Sequence, residues 1–204
     1  MTPGNASPPN ASTQAVDWES RYRDGTTAWE RHGLHPAFLT WRETGALSPC
    51  RILVPGAGRS PEPLALAEAG FDVTVVDAAE SAVAVQQARL ERLHVSARIE
   101  LADLFAWTPA AQFDAIYDQT CLCALPPALW PDYAARLAAW LRPGGALFVM
   151  FMQTGRDSGP PFHCDLPAMR TLFPYNIWTW PGALPMLVEH SPGFTEQPAE
   201  LRRR

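Results

Sequence analysis

The stretch "RILVPGAGRSPEPLALAEAG", residues 51–70, decides how the chain is read. Arg51 to Val54 is a short apolar run of the kind that forms a buried parallel strand. Gly56 and Gly58 follow and allow a tight turn or a close backbone approach to a ligand. Ser60 can cap a helix that has Pro61 at its first position. Pro63 still falls in the first turn, where no intrahelical N–H is lost. Gly70 closes the helix. Strand, glycine turn and helix make the first half of a βαβ unit, and such units hold ligands at the carboxyl ends of their strands.

The same alternation continues outward. "FDVTVVD" (71–77) reads as a strand ending in Asp77, and "SAVAVQQARLERL" (81–93) as a helix. "ARIELADLF" (97–105) reads as a strand leading into Asp103, and "FDAIYDQTCL" (113–122) as a strand and its exit loop, with Asp118. "WPDYAARLAAWLRPGG" (130–145) is expected to be a helix ending at Gly144-Gly145, and "ALFVMFM" (146–152) a strand. "MLVEH" and "FTEQPAEL" suggest two short terminal strands. Upstream, Trp18 and Tyr22 lie four apart on one face of a short helix, and a second helix is expected over 36–44 from Pro36. This order predicts an α/β fold with a parallel sheet and right-handed crossovers.

Composition narrows the function. The 204 residues suit one domain, and 47% apolar content can fill a core. The net charge of −5 and the lack of a basic stripe argue against nucleic acid, with Arg202 to Arg204 read as a solvated chain end. The chain contains no Lys, which excludes a Walker-type phosphate lysine and Schiff-base chemistry. Cys50, Cys121, Cys123 and Cys164 form no zinc pattern, and on a strand Cys121 and Cys123 would share a face. His32 and His35 lack a third ligand, so no metal is expected. His35 and His163 are read as packing or surface residues. The opening "MTPGNASPPNASTQA" has no hydrophobic core of a signal peptide, and residues 1–16 are expected to be a disordered tail before a domain at 17–204. No run is long enough to span a membrane, so a cytoplasmic protein is expected.

Asp77, Asp103, Asp118 and the Gly56–Gly58 turn all fall at strand ends, which brings polar chemistry to one edge. Each Asp alone is equally well explained as a cap or turn residue. A dinucleotide fits poorly, because the third glycine of G-x-G-x-x-G is replaced by Pro61; an NAD-dependent oxidoreductase is thereby disfavoured. A nucleoside without pyrophosphate fits better. Asp77, about twenty residues on, can take both ribose hydroxyls, the arrangement of S-adenosylmethionine (SAM) binders.

Here a specific resemblance enters. "WESRYRDGTTAW", "ILVPGAGRS", "VVD", "ADLF", "FDAIYDQTCLCALPP", "LRPGG" and "GPPF" occur in an order that resembles the thiopurine S-methyltransferase family of SAM-dependent methyltransferases, with plant-type thiol and halide methyltransferases as relatives. The similarity runs from Trp18 onward. It implies a Rossmann-like class I methyltransferase: a mostly parallel seven-stranded sheet, helices on both faces and a short N-terminal helical lid. It implies further that Trp18, Tyr22 and Trp29 fold over SAM, that Gly56 and Gly58 pass the methionine moiety, and that Asp77 binds ribose. Asp103 and Leu104 would meet the adenine edge, Asp118 and Gln119 would lie beside the sulfonium, and Gly159 to Phe162 would shape the substrate side. The family is monomeric by default.

The departures are informative. Val54 stands where many SAM enzymes carry an acid, as is normal for this family. Tyr22 replaces a second Trp, Ala57 a Cys, and Gln119 an Arg of the thiopurine-type members. That last change points away from an anionic thiopurine and toward the thiol and halide branch. The implied reaction is an in-line methyl transfer to a thiolate or other soft nucleophile without a metal, with Asp118 and Tyr22 as candidate bases. The alternatives are an O- or N-methyltransferase of a small metabolite and a SAM-binding module without turnover.

Overall fold

The computed structural model describes residues 16–191 and 193–204. The tail expected over residues 1–16 lies outside them except for Val16. β1 (Arg51–Pro55) sits at the centre of the sheet, between β2 (Asp72–Asp77) and β4 (Phe113–Asp118), parallel to both. β3 (Arg98–Leu101) extends the β2 side, and β5 (Leu141–Gln153) runs parallel to β4. β8 (Phe194–Arg203) is antiparallel to β5, and β6 (Trp178–Thr179) and β7 (Val188–Ser191) pair with β8. The order β3-β2-β1-β4-β5-β8-β6 reverses between β1 and β4, the place where an open α/β sheet makes a crevice.

Alternation along the strands builds two cores. Leu53, Ile116, Leu147, Val149 and Phe151 face one side, under α6 (Trp130–Trp140) and α7 (Leu166–Leu172). Ile52, Val54, Ala115, Phe148 and Met150 face the other, under α2 (Pro36–Glu43) and α3 (Glu62–Glu68). Helices on both faces explain why the central strands are apolar at nearly every position. α4 (Glu80–Leu93) follows β2, and α1 (Trp18–Arg23) packs against it.

Several local expectations are corrected. The helix expected to reach Gly145 ends at Trp140, since Pro143 has no N–H to continue it and holds Arg142 out of the helical region. Leu141 already pairs with Phe113, and the register shifts before Ala115 meets Ala146. α3 starts at Glu62 after Pro61 and has no side-chain cap, so Ser60 does not serve as one. Cys121 and Cys123 lie on a single helical turn, α5 (Cys121–Ala124), and not on a strand. The final strand is no short addition: eight of its residues pair with β5. Pro198 is tolerated because it falls on the stretch of outer edge between the partners of β7 and β6. The sheet order carries the seven strands expected, and the short β7 pairs with β8 beside it.

A buried polar knot ties β8 to the lid side. Glu196 is fully buried and accepts from Arg31 at 2.9 Å and from His35 Nε2 at 3.1 Å, with His190 Nδ1 at 3.2 Å. The Nδ1 atom of His35 accepts the Ala37 N–H, which leaves the ring hydrogen on Nε2 for Glu196. Burial alone would raise the pKa of Glu196, but hydrogen bonds from His190 and His35 outweigh it and hold the carboxyl below the usual range. The packing residue His35 is thus the hinge pin of the knot and caps α2.

Gly145 gives a direct test of the register shift. A Cβ there would meet Arg142 O at 2.8 Å and Asp114 O at 3.0 Å, both backbone atoms. Gly145→Ala should cost roughly 1–3 kcal/mol, read as a lower midpoint with an unchanged slope in urea denaturation.

Candidate active site

Four strand exits converge on one cavity of about 490 Å³. The β1 exit supplies Gly56, with Gly58 next to it on an adjoining recess, both at positive φ (+53° and +55°). These glycines are required sterically as well. A Cβ on Gly56 would lie 2.7 Å from Cys121 Sγ, and one on Gly58 would collide with the Tyr22 hydroxyl. The β2 exit supplies Asp77, which is buried. Its Oδ2 accepts the Gly58 N–H at 2.8 Å and its Oδ1 the Ala79 N–H at 2.9 Å. Burial raises its pKa, and these N–H groups oppose the rise. Each oxygen keeps a lone pair for a further donor, such as a pair of hydroxyls. After β3, Asp103 accepts the Phe105 N–H at 2.9 Å in a local turn that sets Leu104 and Phe105 into the wall.

The roof is aromatic. Trp18 and Tyr22 on α1 both meet Trp29 edge-on, with ring centroids 5.3 and 5.6 Å apart, and Arg59 lies over the Tyr22 ring at 4.6 Å. Glu19 holds this roof down. It accepts from the Ser81 N–H at 2.9 Å and the Ser81 hydroxyl at 2.6 Å, at the start of α4. α4 has Ala79 at its N-cap and no side-chain cap of its own, so the lid helix provides one from outside. The Ser81 bonds, with that from Arg23, hold the Glu19 carboxyl down to about 2.

At the β4 exit stands Asp118, one of the two candidate bases. Asp118 is fully buried and does not line the cavity. Its Oδ1 accepts the N–H groups of Cys121 and Leu122, at 3.1 and 3.2 Å, and its Oδ2 accepts the Tyr133 hydroxyl at 2.9 Å. It is the anchor of α5, and burial pushes its carboxyl up to about 6 against those bonds. Tyr22 does line the cavity, but burial and the Asp77 charge push its phenol above the ordinary range. It stands ready to donate a hydrogen bond, not to take a proton. Gln119 lies apart from the main cavity. Its Oε1 accepts from Tyr117 at 2.6 Å, and it lines a small recess beside the glycine loop with Arg31, Arg59 and Ser60.

Thr120 and Met152, which sequence reasoning missed, line the far end of the cavity with Cys121 and Cys123. Thr120 takes φ +65°, a costly position for a β-branched residue, where the chain turns from β4 into α5. Only the Asp118 anchor makes that turn, and a carboxylate followed by "QTCLC" does not announce it. Among the described residues no group of three or more His, Cys, Asp or Glu side chains is placed to hold a metal, and no helix is long and apolar enough to cross a membrane.

A family model for thiopurine S-methyltransferase matches residues 13–180. The chain belongs to the thiopurine S-methyltransferase family. It is therefore a SAM-dependent methyltransferase. It is 34% identical over 152 residues to a probable thiol methyltransferase 2 of Arabidopsis thaliana, covering 73% of this chain and 67% of that protein. It is 30% identical to thiocyanate methyltransferase 1 of Brassica oleracea (71% and 66% covered) and 32% identical to a thiopurine S-methyltransferase of Pseudomonas fluorescens (73% and 75%). The fold matches the Burkholderia thailandensis 1,6-didemethyltoxoflavin-N1-methyltransferase, solved with S-adenosylhomocysteine, at TM-score 0.72 and 24% identity over 90% of this chain and 84% of that one. These likenesses establish a Rossmann-like class I methyltransferase fold.

Two measurements check the site. Asp118 binds its proton more tightly folded than unfolded, so its contribution to stability is full below its ordinary value of 3.8 and is lost as pH rises through about 6. Asp118→Asn should flatten the urea-melt stability profile over that window by on the order of 2–3 kcal/mol and leave methyl transfer in place. Steep loss of turnover with normal melting would restore it as a base. Glu19→Ala should raise KM for SAM with kcat little changed, and should speed amide exchange over residues 17–24.

Proposed function

We propose that this enzyme transfers the methyl group of SAM to the sulfur of a small thiol or a related soft nucleophile: a thiolate, sulfide, a selenium or tellurium species, or a halide. The cavity fits such a cofactor by its own features. Its aromatic roof suits a sulfonium cation and an adenine ring. Asp77 has lone pairs to spare for ribose hydroxyls, Asp103 and Leu104 lie at the adenine side, and the Gly56 and Gly58 backbone can pass the methionine end beside the recess of Gln119 and Arg31. When bound, SAM supplies an already activated methyl group and leaves as neutral S-adenosylhomocysteine.

One observation carries the choice of acceptor. At the far end of the cavity, from Thr120 to Pro161, no lining residue among those described is an acid, a histidine or a cation. Asp118 is sealed beneath α5, and the Tyr22 phenol keeps its proton. An alcohol or an ammonium group would reach this end with no partner to take its proton. A thiol is a far stronger acid than an alcohol, the cysteine side chain lying near 8.5, so a fraction of it ionises in water without a protein base. The residues then act by position and by excluding water. Cys121 and Cys123 share the wall, and burial pushes both thiols well above their usual range. They stay protonated and do not compete as nucleophiles.

The first measurement is turnover with methyl-labelled SAM and a panel of small aliphatic and aromatic thiols, thiopurine, sulfide, iodide, and selenium and tellurium oxyanions. Labelled methyl on sulfur, selenium, tellurium or halide supports the reading. Label only on an oxygen or nitrogen acceptor overturns it. For the cofactor end, Asp77→Ala should weaken SAM binding by about 1.5–3 kcal/mol in calorimetry, the range for hydrogen bonds to a charged group.

A further inference from the structure

The acceptor end of the cavity differs in kind from the cofactor end. It is walled by Cys123, Leu125, Leu129, Met152, Pro160 and Pro161, which come from α5, the turn after it, β5 and the segment beyond β5. None carries a charge, and among the described residues the side-chain polar hydrogens on this side belong to Thr120 and two thiols. The Thr120 hydroxyl donates to its neighbour's carbonyl, Gln119 O, at 2.6 Å, and the Cys123 thiol points to Thr120 O at 3.3 Å. The Thr120 and Cys123 hydrogens are thus already used. The cation of the cavity wall among the described residues is Arg21, and it stands on the lid helix with its guanidinium 5.5 Å from the centre of the Trp18 ring. That helix packs on α4 after β2, across β1 from α5.

From this wall we infer that the acceptor is a neutral thiol with a hydrocarbon body, alkyl or aryl, and not an inorganic anion or a thiol that carries a carboxylate. The inference rests on the S-methyl transfer reading above and narrows it. A buried anion loses its hydration and must find a charge or a donor in exchange. Among the described residues this wall holds no cation, so the compensating charge beside it is the cofactor's sulfonium, and that can serve one anionic centre, the attacking sulfur. A carboxylate elsewhere on the acceptor is left unpaired against Leu125 and Met152. Thiocyanate and iodide can use the sulfonium but bring no apolar surface, so they forgo what the wall offers, roughly 25 cal/mol for each Å² buried. The acceptor sulfur gives its proton to water, its lone pair forms the new S–CH3 bond, and the electrons of the old methyl–sulfur bond return to the cofactor's sulfur. The substrate must then come from chemistry that releases a free apolar thiol, either carbon–sulfur bond cleavage or disulfide reduction.

The test uses the full-length wild-type enzyme and labelled SAM, with kcat/KM measured for ethane-, propane- and butanethiol, benzenethiol, mercaptoacetate and its methyl ester, thiocyanate and iodide. The expected result is a rise of about fourfold per added methylene. The methyl ester should exceed mercaptoacetate at least tenfold, and both inorganic anions should fall below every apolar thiol. Calorimetry with S-adenosylhomocysteine bound should show the same order for the methyl thioether of butanethiol over thiocyanate. If thiocyanate, iodide or mercaptoacetate matches the apolar thiols, the inference is overturned while S-methyl transfer stands. If no sulfur or halide acceptor takes the label from bound SAM, the functional reading itself fails, and the inference with it.

Discussion

The Asp77 carboxylate holds the site together. One oxygen takes the Gly58 N–H and the other the Ala79 N–H, so a single side chain ties the loop after β1 to the start of the segment that becomes α4. β1 also borders β4, and between those two the sheet order reverses, where a crevice has to form. The positive φ of Gly56 then brings the chain against Cys121, close enough that any side chain would strike its sulfur. Three strand exits therefore meet within a few ångströms. The cofactor end is made of backbone and a buried carboxylate, both rigid, which is what a site working by position needs.

Around this centre, rigidity is supplied from two distant places. The lid is latched by Glu19, which spends its carboxylate on the uncapped first turn of α4 and so holds Trp18 and Tyr22 over the cavity. The segment with Trp29 and Arg31 is held by Glu196, which lies on β8, beyond the last residue that the family model matches. Burying Glu196 costs desolvation, and three basic partners offset it. A C-terminal strand that reads as an appendage thus braces the opposite end of the chain.

The two ends of the cavity follow different rules. At the cofactor end the Asp77 carboxylate is partnered by two backbone N–H groups and still leaves acceptors free. At the acceptor end the polar hydrogens are turned inward onto carbonyls, and hydrocarbon is left facing the cavity. Asp118 shows the division most clearly. It sits one residue from the cavity wall, yet its bonds to Cys121, Leu122 and Tyr133 use it to build α5, and its charge is kept from the cavity.

The sequence by itself determined the α/β order, the glycine turn, the strand-end aspartates and the aromatic lid, because each is written in a local period or in residues with one conformational use. Only the tertiary structure decided that Asp118 is an anchor, that Gln119 faces a side recess, that Tyr22 keeps its proton and that β8 pairs with β5 along most of its length. These depend on which groups a residue meets from 15 to 160 positions away. A carboxylate in a sequence is equally fit to be a base, a cap or a ribose ligand. Burial and hydrogen-bond partners choose among those roles, and they exist only once the chain has folded.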